Sequence, residues 1–122
     1  MPTNPRSARL FGRLLPWLLI LLILSAGYLY AFPQPTIFYV GVVLLHALAG
    51  IVTTVLLIVW LLRLLRSGTL LARIGWLLTT AGAVMGLILV KTGTARPELK
   101  WLYIHIGISL VGVGLLGADW LS

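Results

Sequence analysis

The chain has 122 residues, 61% of them hydrophobic and 9% charged, and a mean hydropathy of +1.12. Soluble domains carry about 25% charged residues and, when small, have too little interior to hide this much hydrocarbon, so the composition excludes a soluble fold and makes lipid the solvent. Nine Lys and Arg against two Asp and Glu give a net charge of +7, with no cysteine. In a soluble chain that charge would suggest nucleic acid. Here the basic residues lie at segment ends and in connections, where they set membrane topology, and no nucleic-acid partner is expected. Without cysteine, disulfides, zinc–thiolate sites, iron–sulfur ligation and covalent c-type haem attachment are excluded within the chain.

The first apolar run covers about residues 14–31, a length that suits one membrane crossing. Arg6, Arg9 and Arg13 precede it, and Ser25-Ala26-Gly27 resembles a small-residue cleavage site, so the segment has the outline of a signal peptide. A retained helix is expected instead, because apolar residues continue through Tyr28, Leu29, Tyr30 and Phe32. Phe32-Pro33-Gln34-Pro35 then ends it, since proline lacks an amide donor and disfavours helical geometry in the residue before it. Thr36 can cap a second helix, predicted over about residues 36–62. Arg63, Arg66 and Arg73 frame a turn containing Ser67-Gly68-Thr69. A third helix is predicted over about 74–90.

The most polar stretch follows, from Lys91 to Lys100. Within it Pro97 suits a first helical turn, and Glu98 favours the positive end of a helix dipole. The fourth helix is predicted over about 97–120. The fold class expected is all-α, a single integral membrane domain built as a four-helix up-down bundle.

Three arginines precede helix one and three surround the second connection, which places both termini and that connection in the cytoplasm by the positive-inside rule. A bacterial inner membrane suits this arrangement. Tyr28, Tyr30, Tyr39, Trp101 and Tyr103 cluster towards the outer interface, and Trp17, Trp60, Trp76 and Trp120 towards the inner one. Lys91, Arg96 and Lys100 then fall outside, an exception to the rule that itself asks for a cause.

The chain has two histidines. His46 lies ten residues beyond Thr36 and His105 nine beyond Arg96, which at 1.5 Å per residue gives depths of about 15 and 13.5 Å from the same face. In a four-helix ring their helices would face each other across a diagonal of about 14 Å. One haem b held edge-on, with each imidazole offering a neutral nitrogen to iron, would fill such a gap and offset the cost of two polar side chains in lipid. Small residues give it room: Ala49, Gly50 and Thr53 below His46, Ser109 and Gly112 below His105, and the helix-three stripe Gly75, Thr79, Gly82 and Gly86, with Ser25 to Gly27 adding little bulk from helix one. The haem propionates would meet Lys91, Arg96 and Lys100. Each second ring nitrogen needs an acceptor, expected among carbonyls one turn back, near Val42 and Trp101, or among nearby hydroxyls.

Two other assignments stay open. The histidines could each hold a bacteriochlorophyll magnesium, or hold no cofactor and serve as structural hydrogen-bonding residues. Gly82-x-x-x-Gly86 is also a common close-packing device, and the outer basic residues are equally suited to lipid headgroups. Asp119, at the inner end, is expected to be solvated. A proton-coupled exporter would want a carboxylate at mid-membrane, whereas Glu98 and Asp119 are both at ends, and no hydrolytic dyad or phosphate loop can be assembled.

The stretches His46-Ala47-Leu48-Ala49-Gly50 and Trp101-Leu102-Tyr103-Ile104-His105-Ile106-Gly107 resemble helices of small b-type membrane cytochromes, of the cytochrome b561-like kind or the haem-bearing membrane anchors. The resemblance is architectural, covers helices two to four, and departs from two-haem members because two histidines serve one haem. The Thr-Ala-Arg-Pro stretch before helix four also looks like membrane segments that precede multihaem cytochromes. The resemblance implies electron transfer, in a subunit of a larger membrane complex, with a c-type cytochrome or quinone as partner.

Overall fold

The computed structural model describes residues 5–66, 68–93 and 99–122, with side chains from Ala8 onward. It is all-α: α1 (Pro5–Ala31), α2 (Ile37–Arg66), α3 (Leu70–Thr92) and α4 (Leu99–Leu121). All four are long and apolar enough to cross a membrane, with mean hydropathies of 2.0, 2.6, 1.7 and 1.7 over their most apolar windows. The large apolar side chains along them are mostly exposed, Ile37, Val59, Leu62 and Leu70 among them. Outward-facing hydrocarbon on this scale is what a lipid-embedded chain presents.

The helices extend further than the apolar runs alone predict. α1 starts at Pro5, where the missing amide is harmless in a first turn, and it continues through Pro16. Arg63 and Arg66 are helical and occupy the last turn of α2, where cations complement the dipole. Arg73 lies inside α3, which begins at Leu70 because Thr69 caps it: the Thr69 hydroxyl accepts the Ala72 amide at 3.1 Å. At its other end Gly93, at φ 78°, donates its amide to the Leu89 carbonyl at 2.8 Å and stops the helix in a conformation that glycine favours. Pro97 and Glu98, assigned to the start of helix four, lie outside the described residues.

The chain divides into two compact units, Met1–Leu56 and Leu57–Ser122. In the first, α1 and the leading part of α2 form an antiparallel hairpin. Its connection is tight, with Gln34 and Thr36 donating to the Phe32 and Gln34 carbonyls at 2.8 Å each. The Thr36 hydroxyl accepts the Tyr39 amide at 3.1 Å, so Thr36 caps α2 as its side chain suggests. Tyr28 packs edge-on against Phe38, with centroids 5.3 Å apart, and fixes the entry of α2.

In the second unit α3 and α4 are packed closely and antiparallel along a seam of small residues. Residues 75, 79, 82 and 86 of α3 recur at the spacing of one helical face, as do 105, 109, 112 and 116 of α4. They meet in one register: Gly75 with Leu116, Thr79 with Gly112, Gly82 with Ser109, and Gly86 with His105. Gly112 allows the closest approach to facing main chain, since a Cβ there would lie 2.6 Å from the Thr79 amide nitrogen. Lipid offers no hydrophobic gain for bringing helices together, so close van der Waals contact of this kind supplies the association.

Candidate functional site

His105 sits on the α4 side of that seam, half-buried, with its ring against the bare Cα of Gly86; a Cβ at Gly86 would stand 3.0 Å from Cε1. This brings Nδ1 to 2.7 Å from the Gly82 carbonyl oxygen. A carbonyl only accepts, so the proton of this bond must be on Nδ1. In the neutral imidazole the lone pair is then on Nε2, the protonation pattern of a metal-bound histidine steadied by an oxygen on its other nitrogen.

His46, half-buried on α2, is held at the same ring atom: its Nδ1 lies 2.8 Å from the Ser25 hydroxyl of α1. Ser25 is itself buried, at 6% exposure. Its oxygen also lies 2.7 Å from the Leu21 carbonyl and 3.0 Å from that of Leu22.

The acceptors expected on the histidines' own helices, near Val42 and Trp101, are therefore replaced by groups on neighbouring ones. For His105 the cause is Gly86: with no side chain there the imidazole lies against α3 and reaches its backbone. For His46 it is Ser25, one of the nearby hydroxyls expected as acceptors. A signal for it exists, since Ser25 is the one hydroxyl between Arg13 and Tyr28, and a lone polar side chain in a membrane helix calls for a partner.

The remaining residues assigned to a cofactor fall as follows. Gly82 and Ser109 face each other, and Gly86 faces His105, so the space expected for a macrocycle at Gly82 and Gly86 is filled by Ser109 and the imidazole. Both glycines contribute to holding His105, one through its carbonyl and the other through its lack of a side chain. Gly50 has only the end of Leu22 near it, at 3.9 Å from an added Cβ. The Thr53 hydroxyl turns back to the Ala49 carbonyl at 2.7 Å. Lys91, in the last turn of α3, and Lys100, in the first turn of α4, are exposed and lie five residues from Gly86 and from His105. The Lys100 ammonium lies over the Trp101 ring at 5.4 Å. Arg96 lies outside the described residues.

Asp119 departs from the solvated end expected of it. It is half-buried, and one carboxylate oxygen accepts the Thr69 hydroxyl. That places a negative charge beside the first turn of α3, where the helix dipole favours it. Among the described residues no cluster of three or more His, Cys, Asp or Glu could hold a metal ion unaided. A metal here would have to bring most of its own ligands, as a porphyrin does.

Fold and composition define the class: an integral membrane protein of four apolar helices with two histidines, each hydrogen-bonded to a neighbouring helix. No family model matches the chain, and no curated protein or solved structure matches it.

Proposed function

We propose that this chain is an electron-transfer subunit of a membrane complex, binding one haem b with His46 and His105 as axial ligands. One observation carries the proposal: the two histidines, on different helices, are both held at Nδ1 by an oxygen, from Ser25 and from Gly82. Metal-ligating histidines carry this second hydrogen bond almost without exception, because it orients the ring and strengthens it as a donor. The donor set fits as well, since two neutral imidazoles without thiolate or carboxylate suit six-coordinate haem and would leave a bare metal ion short of ligands. When bound, the haem would supply one-electron transfer with both axial positions filled and none open to a substrate.

Lys91, Arg96 and Lys100 would neutralise the propionates at the non-cytoplasmic face. Both termini would lie in the cytoplasm and the membrane would be a bacterial inner membrane, as the flanking arginines favour. The redox partner would be a c-type cytochrome or a quinone. A second reading has its own support, because each histidine bond also ties one helix to its neighbour, α2 to α1 and α4 to α3, which suffices for a scaffolding or pigment-holding subunit.

Purification in mild detergent separates the two. A dithionite-reducible b-type spectrum at one haem per chain, lost in both His46→Ala and His105→Ala, is the expected result. Bacteriochlorophyll bands, or a colourless protein whose variants are destabilised, would overturn the electron-carrier proposal.

A further inference from the structure

We infer that Ser25 is a positioning residue that fixes the proton of His46 on Nδ1. For His105 chemistry leaves no choice, since its partner is a carbonyl. For His46 the partner is a hydroxyl, which can donate or accept, and the local geometry decides. The Ser25 oxygen has three near neighbours: the Leu21 carbonyl at 2.7 Å, the Leu22 carbonyl at 3.0 Å and His46 Nδ1 at 2.8 Å. A hydroxyl has one hydrogen.

If that hydrogen went to His46, two carbonyl oxygens would face the hydroxyl oxygen at hydrogen-bond distance with no proton between them. In a buried site of low dielectric such oxygen–oxygen contacts are strongly unfavourable. If it goes to the carbonyls, as serine hydroxyls in membrane helices commonly do, all contacts are satisfied, provided the imidazole donates. The result is a directed chain, from His46 Nδ1–H to the Ser25 oxygen and from the Ser25 O–H to the α1 backbone, in which each bond polarises the next.

The two histidines thereby reach the same tautomer by different means. His105 is fixed by a main-chain carbonyl, that of Gly82, an acceptor that is not itself a side chain. His46 is held at Nδ1 by the Ser25 side chain, which a substitution can remove while leaving the Gly82 carbonyl of His105 in place. Resting on the haem proposal above, this makes Ser25 a control on one axial ligand alone: the acceptor on Nδ1–H enriches the imidazole in electron density and favours the oxidised iron.

The test uses the full-length chain in detergent with 15N-labelled histidine. In the cofactor-free protein in a His105→Gln background, the single imidazole in its neutral form should show protonated Nδ1 and unprotonated Nε2. Ser25→Ala should lower that tautomer ratio about five- to tenfold, the loss of one buried hydrogen bond, and Ser25→Thr should restore it. Protonated Nε2 in the parent protein, or a ratio unmoved by Ser25→Ala, would overturn the inference. In haem-loaded protein Ser25→Ala should raise the midpoint potential with the bis-histidine spectrum retained, and an unchanged potential would also overturn it. The first measurement needs no haem, so a chain that binds none but shows the tautomer lock defeats the electron-carrier proposal and keeps the role of Ser25.

Discussion

Gly112→Ala puts the α3–α4 seam to the most direct test. The added Cβ would lie 2.6 Å from both the amide nitrogen and the hydroxyl of Thr79 and 3.1 Å from the Gly75 carbonyl oxygen, while ordinary contact begins near 3.4 Å. Two of these three atoms are main chain of the facing helix and cannot swing aside. Restoring contact distance requires the helices to part by about 0.8 Å at this level, which loosens the interlocked pairs on either side of it. Overpacking of this kind destabilises by about 1–3 kcal/mol, equivalent to about a five- to 150-fold fall in the folded ratio, and in lipid no hydrophobic gain between helices compensates. Gly75→Ala should do less, because its nearest neighbours at 2.9 Å belong to the flexible Leu116 side chain. Gly114→Ala, with nothing within 4 Å, should be neutral or mildly stabilising, as alanine is the better helix former. Titration with SDS in mixed micelles, followed by tryptophan fluorescence, gives the three free energies on one scale. If Gly112→Ala unfolds at the same SDS fraction as Gly114→Ala, the seam is not what joins these helices.

Two further predictions concern the site and the topology. Gly86→Ala places a Cβ 3.0 Å from His105 Cε1 and should push the ring off the Gly82 carbonyl, so under the haem proposal retention of haem after purification should fall severalfold relative to Gly107→Ala, whose Cβ meets nothing within 4 Å; equal retention would show that Gly86 does not seat the imidazole. A Thr92→Cys variant, chosen because Gly93 at φ 78° resists substitution, should under the proposed orientation react with a membrane-impermeant maleimide from the non-cytoplasmic side, and protection from it would reverse that proposal.

Sequence alone determined the solvent and the class of fold, since long apolar runs bounded by prolines and arginines allow little but membrane-spanning helices when every backbone amide must be bonded within the chain. It also singled out the histidines, because ionisable groups are costly in lipid and two inside long apolar runs stand out against that background. Helix ends were less legible: Arg63, Arg66 and Arg73 look like a connection in a hydropathy pattern, yet arginine is a good helix former and the dipole welcomes it at the end of α2. The tertiary structure alone decided what each polar side chain bonds to. That Ser25 meets His46, that the Gly82 carbonyl meets His105, and that Asp119 bonds the cap of α3 depends on how antiparallel helices are set in register. Between α3 and α4 that register is fixed where missing side chains let two backbones approach, a relation between residues far apart in the chain that local composition does not encode.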